Sequence, residues 1–166
     1  SLDRIAPDLF SHKSVLYIGA KANRFDFGKR FADSGYKITV LEAWEKNVLD
    51  ILKLPWIDKV VQGDVRKIGE YDLGTFDVVF WWHGPEHISR SEMITTLPRL
   101  EATARKLIVL GCPWGNYPQG AVGGNEFERH QSSLDHTDFE ALGYGMEVLG
   151  TKDVAGSNLT SVKRWG

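Results

Sequence analysis

Ser14-Val-Leu-Tyr-Ile-Gly19, followed by Ala20-Lys-Ala-Asn23, is the stretch from which the fold can be read. Four apolar residues in a row end at a glycine. A run this short and continuous reads as a strand buried on both faces, the habit of parallel sheets. The glycine at its end lets backbone approach a ligand closely. Residues 23–34 then read as a helix. Phe27 and Phe31 share one face at i,i+4, with Lys29 and Arg30 on another. Asn23 can cap this helix with Asp26 three residues on, and Gly35 can stop it.

The same alternation continues outward. Residues 36–42 form a second apolar strand, and 44–54 a helix closed by Pro55. Residues 58–62 form a third strand ended by Gly63-Asp64, and 76–81 a fourth. Ser89, with Glu92 at the capping-box position, starts a helix to about Ala104. Residues 106–110 form a fifth strand. Residues 135–142 read as a short helix stopped by Gly143. Strands at 144–149 and 159–165 close the chain as an antiparallel hairpin. Strands alternating with helices imply an α/β fold: a doubly wound, mostly parallel sheet with an antiparallel edge. Residues 111–134 break the pattern. They are rich in Gly, Pro, Asn, Gln and aromatics, and a loop this long in a compact domain is usually functional. Residues 1–13 are expected as a helical N-terminal segment of the same single domain, 1–166.

The 166 residues carry 20 Lys+Arg and 22 Asp+Glu, a net charge of −2, which argues against nucleic acid as partner. One cysteine excludes an internal disulfide framework or a cysteine-based zinc cluster. Cys112, after the fifth strand, reads as a packing residue rather than a nucleophile. No stretch approaches the roughly 18 apolar residues of a membrane span. No signal peptide is visible at the start, so a cytoplasmic protein, monomeric or homodimeric, is expected.

In doubly wound sheets ligands bind outside the carboxyl ends of the strands, where strand order reverses. Gly19, Ala20, Lys21 and Asn23 follow the first strand. Glu42 and Ala43 end the second; an acid there accepts hydrogen bonds from ribose hydroxyls. Asp64 and Val65 follow the third. Asp64 can accept from the exocyclic amine of a base, or simply cap the turn that follows. Together they describe a nucleoside pocket. Trp81 and Trp82 end the fourth strand and should border cofactor and acceptor. His83 and His87 follow them, and imidazole is the side chain best tuned to take a proton near neutral pH. Trp114, Tyr117, Glu126 and His130 lie in the long loop as acceptor-pocket candidates, with Glu126 and His130 facing one way at i,i+4. Asp64, His83, His87, Glu126 and His130 can be imagined around a metal. The spacing His83-x-x-x-His87 fits one helical face, but Gly84-Pro85 disfavours a helix there, and no metal is expected.

On these motifs the chain resembles class I S-adenosylmethionine-dependent methyltransferases over nearly its whole length. The resemblance rests on Val15-Leu-Tyr-Ile-Gly-Ala-Lys-Ala-Asn23, Val40-Leu-Glu42, Gln62-Gly-Asp64 and Phe76-Asp-Val-Val-Phe80. Trp82-His-Gly-Pro-Glu-His-Ile88 looks like the segment after the fourth strand in many small-molecule methyltransferases, and Thr137-Asp-Phe-Glu-Ala-Leu-Gly-Tyr144 matches the helix leading to the sixth strand. It implies a Rossmann-like seven-stranded sheet with its last strand antiparallel. It also implies S-adenosylmethionine as cofactor, a small polar or sugar-like acceptor, and His87 ahead of His83 as the base. The first loop departs from the family's Gly-x-Gly-x-Gly, keeping only Gly19. Two alternatives stay open: an NAD(P)-dependent oxidoreductase, which would want Gly-x-Gly-x-x-Gly in that loop, and a methyltransferase-like binding module without turnover.

Overall fold

In the computed structural model, which describes residues 2–166, seven strands form one sheet. They are β1 (Ser14–Ile18), β2 (Lys37–Glu42), β3 (Lys59–Gln62), β4 (Phe76–Trp82), β5 (Ala104–Cys112), β6 (Gly145–Leu149) and β7 (Asn158–Arg164). Their spatial order is β3-β2-β1-β4-β5-β7-β6. Strands β1 to β5 pair in parallel, and β7 runs antiparallel to both β5 and β6. The mostly parallel, Rossmann-like sheet expected from the sequence is therefore present. The expected antiparallel hairpin forms the edge, with β7 inserted between β5 and β6, so that β6 is outermost. Burial explains this. Leu159, Thr160, Ser161 and Val162 of β7 are all buried, whereas β6 leaves Val148 and Leu149 exposed.

Successive side chains of a strand point to opposite faces. Val15 and Tyr17, Ile38 and Val40, Val78 and Phe80, and Leu107 and Val109 enter one apolar core. Leu16 and Ile18, Leu41, Val79 and Trp81, and Ile108 and Leu110 enter the other. Helices cover both faces. On the first lie the N-terminal segment with α1 (Leu2–Ile5), then α2 (Asp26–Asp33) and α3 (Glu45–Ile51). On the second lie α4 (Arg90–Glu101), α5 (His136–Glu140) and the 3-10 turns of Val65–Glu70, which stand where a full helix would complete the repeat.

Helix α2 starts later than the sequence predicts. Residues Ala22–Arg24 form a 3-10 turn, and the helix begins at Asp26 after Phe25, with no side-chain cap. Asn23 therefore caps nothing. Phe25 is drawn into the core against Tyr17 and Trp56, with ring centroids 4.6 and 5.2 Å away. Its ring lies over Gly28, where an added Cβ would stand 2.4 Å from it. The other helix starts agree with the sequence. Ser89 and Glu92 form a reciprocal capping box at α4, and Asp135 and Asp138 form another at α5. Among the described residues no helix is long and apolar enough to cross a membrane.

Phe80 is fully buried at the centre of the first core, with Tyr17, Phe27, Phe31 and Trp82 ring centroids 5.1 to 5.7 Å away. Phe80→Ala should cost about 3–5 kcal/mol of stability through lost burial and the cavity left behind. Urea denaturation checks this, with an unchanged slope showing that the two-state transition is preserved.

Candidate functional site

The chain leaves β1 for β2 on one side and reaches β4 on the other, so strand order reverses between β1 and β4. At the carboxyl ends of these strands lies a cavity of about 940 Å³. Its walls are the residues after β1 to β4, the long loop after β5, and the turn between β6 and β7.

Gly19 has φ +69, a conformation in which a side chain is strained, and its amide donates to Leu41 O at 2.9 Å. The turn it allows aims the Ala20 N–H at Glu42 Oε2, 2.8 Å away. Glu42 is only 6% exposed. Its Oε1 accepts from the Trp44 N–H at 2.9 Å and from Asn47 Nδ2 at 3.3 Å. Burial pushes the Glu42 pKa above the usual carboxylate range, although the hydrogen bonds from Trp44, Ala20 and Asn47 oppose it. Three donors hold the carboxylate at the cavity wall, and two oxygens with about four lone-pair sites keep capacity for more. Gly19, Ala20, Lys21, Ala43 and Val65 line the same wall. Asn23 lies outside it, because the 3-10 turn carries it to the surface.

Asp64 takes up the capping role. Its Oδ1 accepts from the Arg66 backbone N–H at 2.9 Å, and the Arg66 guanidinium grips both oxygens, at 3.0 Å from Nε and 2.6 Å from Nη2 to Oδ2. The same guanidinium reaches Glu92 Oε1 at 3.2 Å. Burial pushes the Asp64 pKa up, but the hydrogen bonds and charge of Arg66 outweigh it and hold the carboxyl below its ordinary value. Asp64 still lines the cavity, with most of its acceptor capacity committed to Arg66.

Trp81 and Trp82 both reach the cavity but from opposite faces of the sheet. Trp82 stacks on Phe80 at 5.7 Å with planes 10° apart. His83 follows in a left-handed conformation, φ +48, pinned by its N–H to Gly111 O at 2.7 Å. Such a backbone on a non-glycine residue stores strain, and strain of this kind clusters at functional sites. Its imidazole is 55% exposed at the cavity. Next, Pro85–His87 form a 3-10 turn that carries Glu86 inward, 3% exposed. The long loop docks on this turn. Glu86 O accepts from the Gln131 and Ser132 amides, and Gln131 Nε2 donates to His87 O. His87 and His130 are thereby packed edge to face at 4.9 Å.

The remaining candidates separate. Tyr117 and His130 line the cavity, and His130 Nδ1 meets Tyr117 O. Glu126 stands at the mouth, largely exposed and paired with Arg129 at 2.9 Å. It and His130 both line the cavity, although Glu126–Glu128 is a 3-10 turn rather than an α-helix. Trp114 lies outside the cavity. Its indole N–H donates to Asp135 Oδ1 at 3.0 Å, and it faces Met146 and Val148 of the edge strand. Cys112 is buried in the core, and burial pushes its thiol pKa well up. Among the cavity residues missed in the sequence, three carry charge that ties the site together. Glu86 sits between His83 and His87, a visible signal. Arg66 is the partner of Asp64. Glu128 pairs with Lys21 Nζ at 2.9 Å, tying the long loop to the first loop, a contact no local pattern encodes.

No family model matches the chain, and no curated protein matches it in sequence. Solved structures match its shape. The N-terminal domain of EvdMO1, solved in the presence of S-adenosylhomocysteine (SAH) and D-fucose, superposes with TM-score 0.66 at 18% identity, over 97% of this chain and 79% of that one. Magnesium protoporphyrin IX methyltransferase (ChlM) from Synechocystis PCC 6803 with bound SAH gives 0.68 at 13% identity, over 98% and 78%. A Rhodobacter sphaeroides protein described provisionally as a Zn-dependent alcohol dehydrogenase gives 0.69 at 12%, over 99% and 89%. Several of the similar structures hold SAH or S-adenosylmethionine. At these identities the likeness establishes the fold.

Asp64 is ionised in the fold below its unfolded pKa, so it stabilises above that value and loses this contribution as pH falls through its folded pKa. Asp64→Asn should cost about 1 kcal/mol at pH 7, the upper end for a solvent-screened pair. The difference from wild type should fade as pH is taken below about 3.9, the unfolded aspartate value. Urea midpoints at pH 7 and pH 3 measure it.

Proposed function

We propose that this chain, which has the class I methyltransferase fold, binds S-adenosylmethionine in the cavity at the β1/β4 switch and passes its methyl group to a small polar, sugar-like acceptor. The observation that carries this reading is Glu42. A buried carboxylate, oriented by the Ala20 and Trp44 amides and facing a cavity at the end of β2, suits the two hydroxyls of a ribose. The left-handed Gly19 turn keeps the neighbouring backbone clear of side chains. The adenine would then lie toward Val65, with Asp64 offering little beyond its Arg66 clasp, so the base is held mainly by shape and backbone.

When bound, the cofactor would supply an electrophilic sulfonium methyl carbon with sulfur as its leaving group, and an acceptor hydroxyl attacking it would have to give up its proton. The chain's part is to orient and to take that proton. His83 suits the second task better than His87. Its imidazole is open to the cavity beside Trp82, whereas His87 is largely packed against His130. Trp82 and Tyr117 offer aromatic surface for an acceptor. The presence of D-fucose with SAH in the similar EvdMO1 domain supports a sugar-like acceptor. The charge of −2 argues against a nucleic-acid acceptor. The reading takes the protein as cytoplasmic, acting alone or as a homodimer.

The dehydrogenase reading shares Glu42 but needs a glycine-rich loop to admit a pyrophosphate. Here Ala20, Lys21 and Ala22 follow Gly19, and Lys21 is engaged by Glu128.

Calorimetry with SAH tests the proposal. Wild type should bind one equivalent, and Glu42→Ala should weaken binding by at least about 1 kcal/mol, roughly fivefold, through lost charge-assisted bonds. Thermal protection by NAD but not by SAH would establish the dehydrogenase reading instead. His83→Gln should lower turnover of monosaccharide acceptors, read as SAH release, by about a hundredfold or more while leaving SAH affinity unchanged. An equal loss of SAH affinity would contradict a role on the acceptor side.

A further inference from the structure

Glu86 poses a problem that methyl transfer does not solve. Its carboxylate is buried, yet among the described residues Oε2 has no hydrogen-bond partner. Around Oε1 stand three imidazole nitrogens, none at hydrogen-bond distance: His83 Nδ1 at 3.6 Å, His87 Nε2 at 3.9 Å and His130 Nε2 at 4.0 Å. His87 Nδ1 is also buried without a partner. A carboxylate withdrawn from water at several kcal/mol of desolvation needs a cation or a dense set of donors in return. No donor closes on it, although the imidazoles of His87 and His130 stand close to it and to each other.

We propose that Glu86, His87 and His130 bind a divalent transition-metal ion of the zinc class at the acceptor end of the cavity. One ligand atom from each of the three lies within 4.8 Å of the others. Zinc–nitrogen bonds near 2.0–2.1 Å place tetrahedral ligands about 3.3 Å apart, so the ligand atoms, now within 4.8 Å, close the site by side-chain rotations that bring each pair together by at most about 1.5 Å. Two imidazoles with one carboxylate select zinc, iron(II), cobalt or nickel over magnesium and calcium, which prefer all-oxygen shells. His130 is already oriented for this task. Its Nδ1 is turned to Tyr117 O, which leaves Nε2 facing Glu86, the arrangement in which a backbone carbonyl fixes the ligating tautomer. The loop is fastened at the same place, since the Gln131 and Ser132 amides bond to Glu86 O directly after His130. All three residues line the cavity. Three protein ligands leave a coordination position open toward it, where an acceptor oxygen can bind. The site stands apart from the Glu42 wall; its placement at an acceptor end rests on the methyl-transfer reading, while its binding of metal does not.

Titration of the metal-stripped full chain with ZnCl2 and CoCl2 tests this. One equivalent of zinc should bind with a micromolar or tighter Kd by calorimetry, and cobalt should develop the visible absorption of a four- or five-coordinate site. Glu86→Gln and His130→Gln should each weaken zinc at least tenfold, and His136→Ala, away from the cluster, should leave it unchanged. Crystals soaked in ZnCl2 provide a check that needs no variant: an anomalous peak between Glu86, His87 and His130 supports the site. No saturable binding to wild type, binding unaltered in both folded cluster variants, or anomalous peaks confined to surface histidines would overturn it. A loss of SAH binding with zinc binding intact would count against the methyl-transfer reading alone.

Discussion

Side chains of β1, β2, β4 and β5 alternate between two apolar cores, and the sheet between them has little room for an unpartnered polar group. That constraint sorts the molecule. Ionisable side chains are pushed to strand ends, and at the carboxyl ends of β1 to β4 they converge because parallel strands all finish on one side. Glu42 and Glu86 are the two acids that enter the buried zone nonetheless. Each ends up at a wall of the same cavity.

The two acids are handled differently. Glu42 is surrounded by donors from the first loop and from the start of α3, so its burial is compensated by backbone built for it. Glu86 is surrounded by imidazoles that stop short of bonding. One end of the cavity therefore carries an acid with its donors in place, and the other an acid whose Oε2 has no partner among the described residues. The long loop after β5 spans both ends. It is tied to Glu86 through backbone bonds and to Lys21 through Glu128.

Much of the fold was legible because its signals are local. Apolar runs ending in glycine marked the parallel strands, and Ser89 with Glu92 marked the start of α4. The position of β7 was not legible, since insertion beside β5 depends on which of two strands buries both faces. The start of α2 was missed because Phe25 prefers the aromatic core to a helical turn, a tertiary preference that overrides capping. At the cavity, the positions of Glu42 and of the histidines at the carboxyl ends of their strands followed from topology. Asp64 was ambiguous between base recognition and capping, and Arg66, two residues on, commits most of its acceptor capacity. Trp114 shares composition with Tyr117 but turns to the opposite side of the loop, which no periodicity in an irregular segment can report. The cluster at Glu86 joins residues 44 positions apart in the chain, and only the docked loop brings His130 to it.

A crystal structure of the protein grown with SAH addresses the central claim directly. The account predicts the ribose hydroxyls within hydrogen-bond distance of Glu42, the base against Val65, and the sulfur directed toward Trp82 and His83. SAH bound away from Glu42, or a cavity that stays empty at millimolar SAH, would contradict it.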